Sequence, residues 1–438
     1  MKMQNEKFEF QSVIKFWLLV FASVTPLLYV PIGGTLNSYF PKLVFLITIS
    51  VFLVASIILF RKQAHPLFEF DTENKFLLAL YILLIISTFF ALDRTTAIFG
   101  STVRFEGLVA LTIYFFVFSC SRKIETLGKN FILIMILTGT IISIHGILQV
   151  YGFDPVPVHF YAEILVKMHS SFSSMGQPNH LGTYLVLLIP FAVYVYIEKK
   201  HVLGFWFYNI MFFALLCTNT RGAWIGFFVS LCIYFIFKVK NHKTTGEEKR
   251  KTLYVISASV LLLILFSLTN ENSFGARFIS IFLDFSKVAK DADDADGAGS
   301  GRIYIWKKAI ELIKARPLFG VGPDNVSVAL RTFYEKDVLK NCGEIGFYNW
   351  SKVHNEYLQT AVTTGIPSLL VYIGFVGIIL KKATSRIRHS DIYLPLTASL
   401  TGFYVIGFFN NEVIMFAYIL WMFLGLACSK KVISFKNG

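Results

Sequence analysis

Twelve apolar runs of about 15 to 20 residues each, parted by short clusters of charge, decide what this chain can become. A run of that length crosses the hydrocarbon core of a bilayer, which takes roughly 20 residues of helix. One or two such runs could be helices buried in a soluble core; twelve in succession cannot. Only 16% of the residues are charged, where soluble domains carry about 25%, and the mean hydropathy is +0.61. The pattern predicts an all-α polytopic membrane protein of about 12 transmembrane helices, a single membrane domain over 1–438. The expected spans are 16–30, 43–60, 76–92, 107–120, 131–150, 181–197, 203–218, 222–237, 253–269, 366–380, 393–409 and 413–428. Between the ninth and tenth lies one large loop, 270–361, with amphipathic helices of its own. The first run lacks the cleavage features of a removable signal peptide, so it is expected to be retained.

A formal charge of +14 raises the question of a nucleic-acid partner, and the placement of the charge answers it. With a cytoplasmic N-terminus and alternating spans, cytoplasmic segments hold twenty-four basic residues and the short loops outside only five: Lys42, Arg94, Arg104, Lys167 and Arg221. The positive-inside rule expects this asymmetry. Both termini are placed inside, and no nucleic acid is expected. The large loop carries twelve more, but long loops translocate regardless of charge. Of five cysteines, Cys217 and Cys232 sit in spans, Cys120 and Cys428 at cytoplasmic ends, and Cys342 in the loop. That set supports neither a disulfide framework nor a metal site.

The spans hold almost no ionisable groups, which argues against an ion-coupled transporter. His145 is the main exception and reads as a histidine hydrogen-bonded between helices. Polar residues crowd the outer ends instead. Arg94 and Arg104 lie in the connection between the third and fourth spans, Arg104 within AIFGSTVRFEG (97–107), and SSFSSMGQPNHLGTY (170–184) leads into the sixth span with Asn179 and His180. Asn219-Thr220-Arg221-Gly222-Ala223-Trp224 makes an abrupt polar turn at the outer interface. Arg221 could simply snorkel there, and Trp224 suits an interfacial belt.

The large loop has three parts. The acidic stretch DADDADGAGSG (291–301) fails as a calcium loop, because the first and last ligand positions would be Ala292 and Ile303. It fails as a phosphate cradle too, since no Lys-Ser/Thr follows. Residues 301–317 read as an amphipathic helix lying along the membrane, capped by Ser300 and closed by Pro317. Arg302, Trp306, Ala309, Ile310 and Ile313 share its apolar face, with Lys307, Lys308, Glu311 and Lys314 opposite. A cation in the first turn opposes the helix dipole, so Arg302 points to an anionic ligand. Residues 318–325 form a rigid turn. His354-Asn355-Glu356-Tyr357-Leu358-Gln359 opens another short helix, on which His354, Tyr357 and Leu358 share a face and Glu356 points elsewhere.

The order TRGAW (220–224), GRIYIWKKAIELIKARPLFGVGPDN (301–325) and HNEYLQTAVTTGIPSLLVYI (354–373) resembles the O-antigen ligase and polymerase superfamily. QPNHLGTYL (177–185) and FGSTVRFEGL (99–108) are similar to further elements of it. The resemblance implies a membrane glycosyltransferase of the bacterial cytoplasmic membrane with its active site on the extracytoplasmic face. Its donor would be a glycan on undecaprenyl diphosphate, passed to a glycan, lipid or cell-wall acceptor, with no cofactor and no metal. Arg221 and Arg302, helped by Arg104, would bind the diphosphate; His354 would orient or deprotonate the acceptor; Asn179, His180, Asn355 and Glu356 are possible contacts. A ligase ranks first, a polymerase of lipid-linked repeat units second. A flippase of lipid-linked sugars is the reading from another class, favoured only by the span count.

Overall fold

The computed structural model describes residues 2–32, 35–60, 69–157, 161, 169–241, 244–270, 275, 302–342, 350–429 and 433–434. The acidic stretch 291–301, with its proposed Ser300 cap, and Lys167 lie outside them. In chain order the helices are α1 (Lys2–Ser23), α2 (Tyr39–Leu59), α3 (Thr72–Phe89), α4 (Arg94–Phe99), α5 (Leu108–Ser121), α6 (Lys129–Val150), α7 (Pro178–Ile197) and α8 (Leu203–Cys217). They continue as α9 (Arg221–Asn241), α10 (Gly246–Thr269), α11 (Arg302–Ala315), α12 (Val326–Cys342), α13 (Glu356–Thr364), α14 (Ile366–Arg386), α15 (Tyr393–Ile406) and α16 (Ala417–Cys428). Among the described residues, strand pairing is confined to two short pairs, Val30–Ile32 with Thr35–Asn37 and Thr126–Leu127 with Ile433–Ser434.

A helix stands at each of the twelve expected spans, and the protein is a polytopic all-α membrane protein. Eight of the helices are long and apolar enough to cross a bilayer. The other four, α5, α8, α15 and α16, have 14, 15, 14 and 12 residues, about 18–23 Å at 1.5 Å per residue. Every residue of α16 is buried. A helix enclosed by protein need not match the thickness of the lipid.

α7 is the centre of the bundle. It is buried along its whole length and is correspondingly apolar all round. Pro190 interrupts it and removes one backbone donor. One residue along, the Ser399 hydroxyl donates to the Leu187 carbonyl at 2.6 Å and ties α15 to α7. At the other extreme, α10 buries little of its length, and Leu261 and Leu268 are 66% and 80% exposed. Lipid accounts for that surface. The closest pairing, α9 against α15, runs on small residues. A Cβ on Gly226 would stand 2.3 Å from Ile406, and one on Gly402 2.8 Å from the Ser230 Cβ. Small residues let transmembrane backbones approach, where hydrophobic driving force is weak.

The two ends of the bundle differ in chemistry. At one end basic residues are ion-paired: Arg122 with Asp71, Lys382 with Glu73, Lys199 with Asp391 and Lys238 with Glu198. At the other sits a unit built from α11, α12 and α13 around a second core that includes Ile305, Ala309, Leu312, Val326, Leu330, Val353 and Val362. Two sequence expectations change here. The buried stripe of α11 is Tyr304, Ile305, Ala309 and Leu312, while Ile310 is 45% exposed, so the apolar face is turned by about one residue. That stripe is covered by protein, which leaves the membrane-surface reading of the helix without its apolar face.

The unit is stitched to the bundle through its backbone. Val321 and Gly322 donate to the Val362 and Thr363 carbonyls at 2.8 and 2.9 Å; Ile366 donates to Pro317 O and Leu92 to Val321 O. Such close approach demands glycine at Gly365, where φ is +91° and a Cβ would lie 2.1 Å from the Leu318 carbonyl oxygen. Gly365→Ala should therefore lower the thermal midpoint of the purified protein, costing more than about 1–3 kcal/mol. Gly377→Ala, in the interior of α14 with open space around it, should be neutral or stabilising by up to about 1 kcal/mol. Equal midpoints for the two variants would refute the tight-crossing account.

Candidate functional site

Asp324 and Asn325, in the turn after Gly322, fasten the unit to the loop before α5. The Asp324 carboxylate accepts from Ser101 N (2.7 Å), Ser101 Oγ (2.9 Å) and Glu106 N (3.3 Å). Asn325 exchanges two hydrogen bonds with the Asp93 backbone at 2.9 and 3.1 Å. The rigid turn read from sequence is thus a clamp on residues 93–106, and it positions Arg104.

Arg104 is buried. It donates to the Tyr39 hydroxyl, and its Nε donates to Ser351 Oγ at 3.2 Å. The Tyr39 hydroxyl lies 3.4 Å from His180 Nδ1, and Arg104, His354 and Lys42 are all within electrostatic reach of the His180 ring. Four expected polar positions (Arg104, His180, His354 and the outer Lys42) therefore gather at one place. Lys42 is not on a loop, however. It is fully buried in the first turns of α2 and donates to the Leu28 and Ser174 carbonyls at 2.8 and 2.7 Å.

His354 is not part of a helix. Its φ of +54° is left-handed and uncommon for a non-glycine residue. Asn355 caps α13 instead, accepting from Tyr357 N and Leu358 N. The shared face of His354, Tyr357 and Leu358 is therefore lost, and what aims His354 is its flanks. Trp306 Nε1 donates to the Val353 carbonyl at 3.0 Å, and Val353 N donates to Gln359 Oε1 at 2.9 Å. Arg302 stands one turn before Trp306 on α11, half-buried at the first helical residue. Arg221 likewise opens α9 and is half-buried. Trp224 is not an interfacial belt residue: it is buried, and its Nε1 donates to the Leu215 carbonyl at 3.1 Å.

The segment 407–412, which runs from the end of the expected span 393–409 through the connection 410–412, joins the parts. Glu356 N donates to Gly407 O at 2.7 Å and Asn355 Nδ2 to Phe408 O at 3.3 Å. A Cβ on Gly222, next to Arg221, would lie 2.9 Å from the Phe409 Cβ. Asn410 Nδ2 donates to Asn179 O and to Thr183 Oγ1. The starts of α7, α9 and α13, carrying Asn179, Arg221 and Glu356, thus all meet one loop. His145, by contrast, serves structure. Its ring nitrogens meet Ser173 Oγ at 3.0 Å and Asp154 Oδ1 at 3.1 Å, tying α6 to neighbouring loops rather than to another helix.

Glu356 points away from His354 into a second cluster that sequence reading missed. Glu106, Asp324, Glu356 and Glu412 surround Lys352, whose Nζ is 3.4 Å from Asp324 Oδ1. Glu356 accepts the Glu412 N–H at 2.6 Å, and Tyr114 donates to Glu106 at 3.2 Å. Burial pushes the Glu106 carboxyl up to about 7, with Lys352 opposing and Asp324 adding to the shift. Burial also raises Glu356, and raises Glu412 well above the carboxylate range, helped by the charges of Glu356 and Glu106.

Residues 206–373 match the family model described as O-Antigen ligase. That stretch runs from α8 through the unit and into α14, and it contains Arg221, Arg302 and His354. The chain is 24% identical over 210 residues to an uncharacterized protein of Haemophilus influenzae, 46% of this chain and 48% of that one. It is 23% identical over 165 residues to a protein of Acinetobacter baylyi named a general O-oligosaccharyltransferase, 37% of this chain and 28% of that one. The matches thus span about half or less of each relative's length. Residues 206–373 of this polytopic membrane protein are thus similar to the O-antigen ligase family, and one of its relatives is named for oligosaccharide transfer.

A carboxyl held near 7 when folded, against 4.5 ordinarily, binds its proton more tightly in the folded state. Its stabilising contribution is complete below about pH 4.5 and is lost as pH rises through about 7. Thermal midpoints should fall over that window, by at most about 1.4 kcal/mol per pH unit for this group. Glu106→Gln should flatten the fall; an unchanged profile would show that Glu106 titrates normally.

Proposed function

We propose that the protein is a ligase that transfers a glycan from undecaprenyl diphosphate to a hydroxyl of an envelope acceptor. The reaction takes place on the extracytoplasmic face of the bacterial cytoplasmic membrane, with both termini inside. The observations that carry this reading are the placement of Arg221 and Arg302 as first residues of α9 and α11 and the grouping of Arg104 and His354 about His180. A cation at a helix N-terminus is unfavourable unless an anion shares the site, and helix N-termini bind phosphate well. Arginine is permanently charged and can grip phosphate oxygens in bidentate fashion. The basic bias towards one set of loops supports the orientation, and the relative named an oligosaccharyltransferase supports the chemistry.

In the reaction, an acceptor oxygen attacks the anomeric carbon while the bond from that carbon to the diphosphate breaks. The electron pair leaves on the diphosphate, where the arginines stabilise the new charge. His354 takes the hydroxyl proton, a role suited to a group with a reference pKa near 6.5. Its strained backbone and its two anchored neighbours hold it ready.

Two measurements test this. In cells whose only copy carries Arg302→Ala, long lipid-linked polymer should accumulate on the outer leaflet while the acceptor stays bare. Transfer should fall about 10²–10³-fold, as for other pre-placed charges lost from a transition state. Single repeat units there would mean a polymerase, and material trapped on the inner leaflet a flippase. His354→Gln should abolish the acid limb of the pH–rate profile along with most turnover; near-normal turnover with an unchanged profile would remove the base role.

A further inference from the structure

The segments 100–107 and 350–356 have two chemically opposite sides. Arg104 and Ser351 meet on one, near His180. Glu106 and Lys352 turn to the other and line a cavity of ≈120 Å³ between the bundle and α13. A water takes up about 10–15 Å³ of such space, so the cavity has room for a guest of ring size. Two buried polar atoms of its lining lack a hydrogen bond within the protein. Four carboxyls face one ammonium, and Asp324 Oδ1 has no hydrogen bond, only Lys352 Nζ at 3.4 Å. Tyr372 is 5% exposed, and its hydroxyl, close to that of Tyr404, makes no well-formed hydrogen bond and lines the cavity. Buried polar groups are ordinarily satisfied, so such a surplus marks a place where a polar guest supplies what the protein does not.

The chemistry of the surplus selects the guest. Carboxyl oxygens in excess call for hydroxyl donors. The described carboxyls do not converge as metal ligands do, and a phosphate would meet like charge. We infer that this cavity binds an uncharged, hydroxyl-rich sugar, the head of the acceptor. The inference rests on the transferase reading above. It divides the site into an arginine side for the anionic donor and a carboxyl side for the neutral acceptor, with His354 between them in sequence. The like charge that excludes phosphate from this side would keep a second donor from occupying it.

The test is saturation-transfer NMR on the full chain in lipid nanodiscs, with the methyl glycosides of glucose, galactose and mannose and with glucose 6-phosphate as probes. At least one glycoside should bind, and glucose 6-phosphate at least about tenfold more weakly. Tyr372→Phe, which removes a hydroxyl without a well-formed bond and should leave the thermal midpoint unchanged, should weaken the glycoside about 5–10-fold. Thr360→Leu, which fills the cavity from α13, should abolish the signal. Binding of no glycoside, equal binding of the phosphorylated sugar, or indifference to both variants would overturn the inference. The measurement uses no donor. A wild-type protein that binds the glycoside but never consumes lipid-linked glycan would therefore sink the transferase reading alone.

Discussion

Everything on the functional side depends on one backbone junction. Residues 317–325 run between the end of α13 and the loop before α5, hydrogen-bonded on both sides. Main-chain bonds of this kind are local and directional, and no side-chain substitution can replace them. They make the 302–364 unit and the membrane bundle one body at the place where His354, Arg104 and the carboxyl cluster meet. A unit tethered only by side chains would leave those groups free to drift relative to one another.

The bundle imposes a second constraint, the cost of polar groups away from water. The protein meets it differently at its two ends. At one, charges pair one to one, as with Lys199 and Asp391 at 2.8 Å. At the other the two signs are separated: Arg104 and Lys42 gather on one side of segments 100–107 and 350–356, and four carboxyls around the single Lys352 on the other. Balanced ends are what stability favours; imbalance of this kind is tolerated where a ligand completes it.

The helices were legible because an apolar run long enough to cross a bilayer has few other uses, and each expected span does hold a helix. Their lengths were less so: nothing in the apolar pattern distinguishes α16, enclosed by protein, from α10, which faces lipid. The basic residues of the site stood out as charges at polar turns, and Arg104, His180 and His354 do come together. The carboxyl cavity escaped notice because its members, Glu106, Asp324, Lys352, Glu356 and Glu412, are scattered along the chain and each looks ordinary alone. Glu412 in particular sits in an Asn-Asn-Glu step that reads as a connector. His354 was misplaced onto a helix because its left-handed backbone is a tertiary effect, held by Trp306 from α11.

The paired end has an implication for how the chain is made. Glu73 is almost wholly buried, and its closest partner, Lys382, follows 309 residues later. During synthesis the acid emerges long before that lysine exists, with Arg122, 3.8 Å away in the finished protein, as the earlier countercharge. The acid therefore passes most of synthesis without its final partner, and the lysine that neutralises it also ties α14 to α3. The pair is a clasp that can close only once nearly the whole chain has been made.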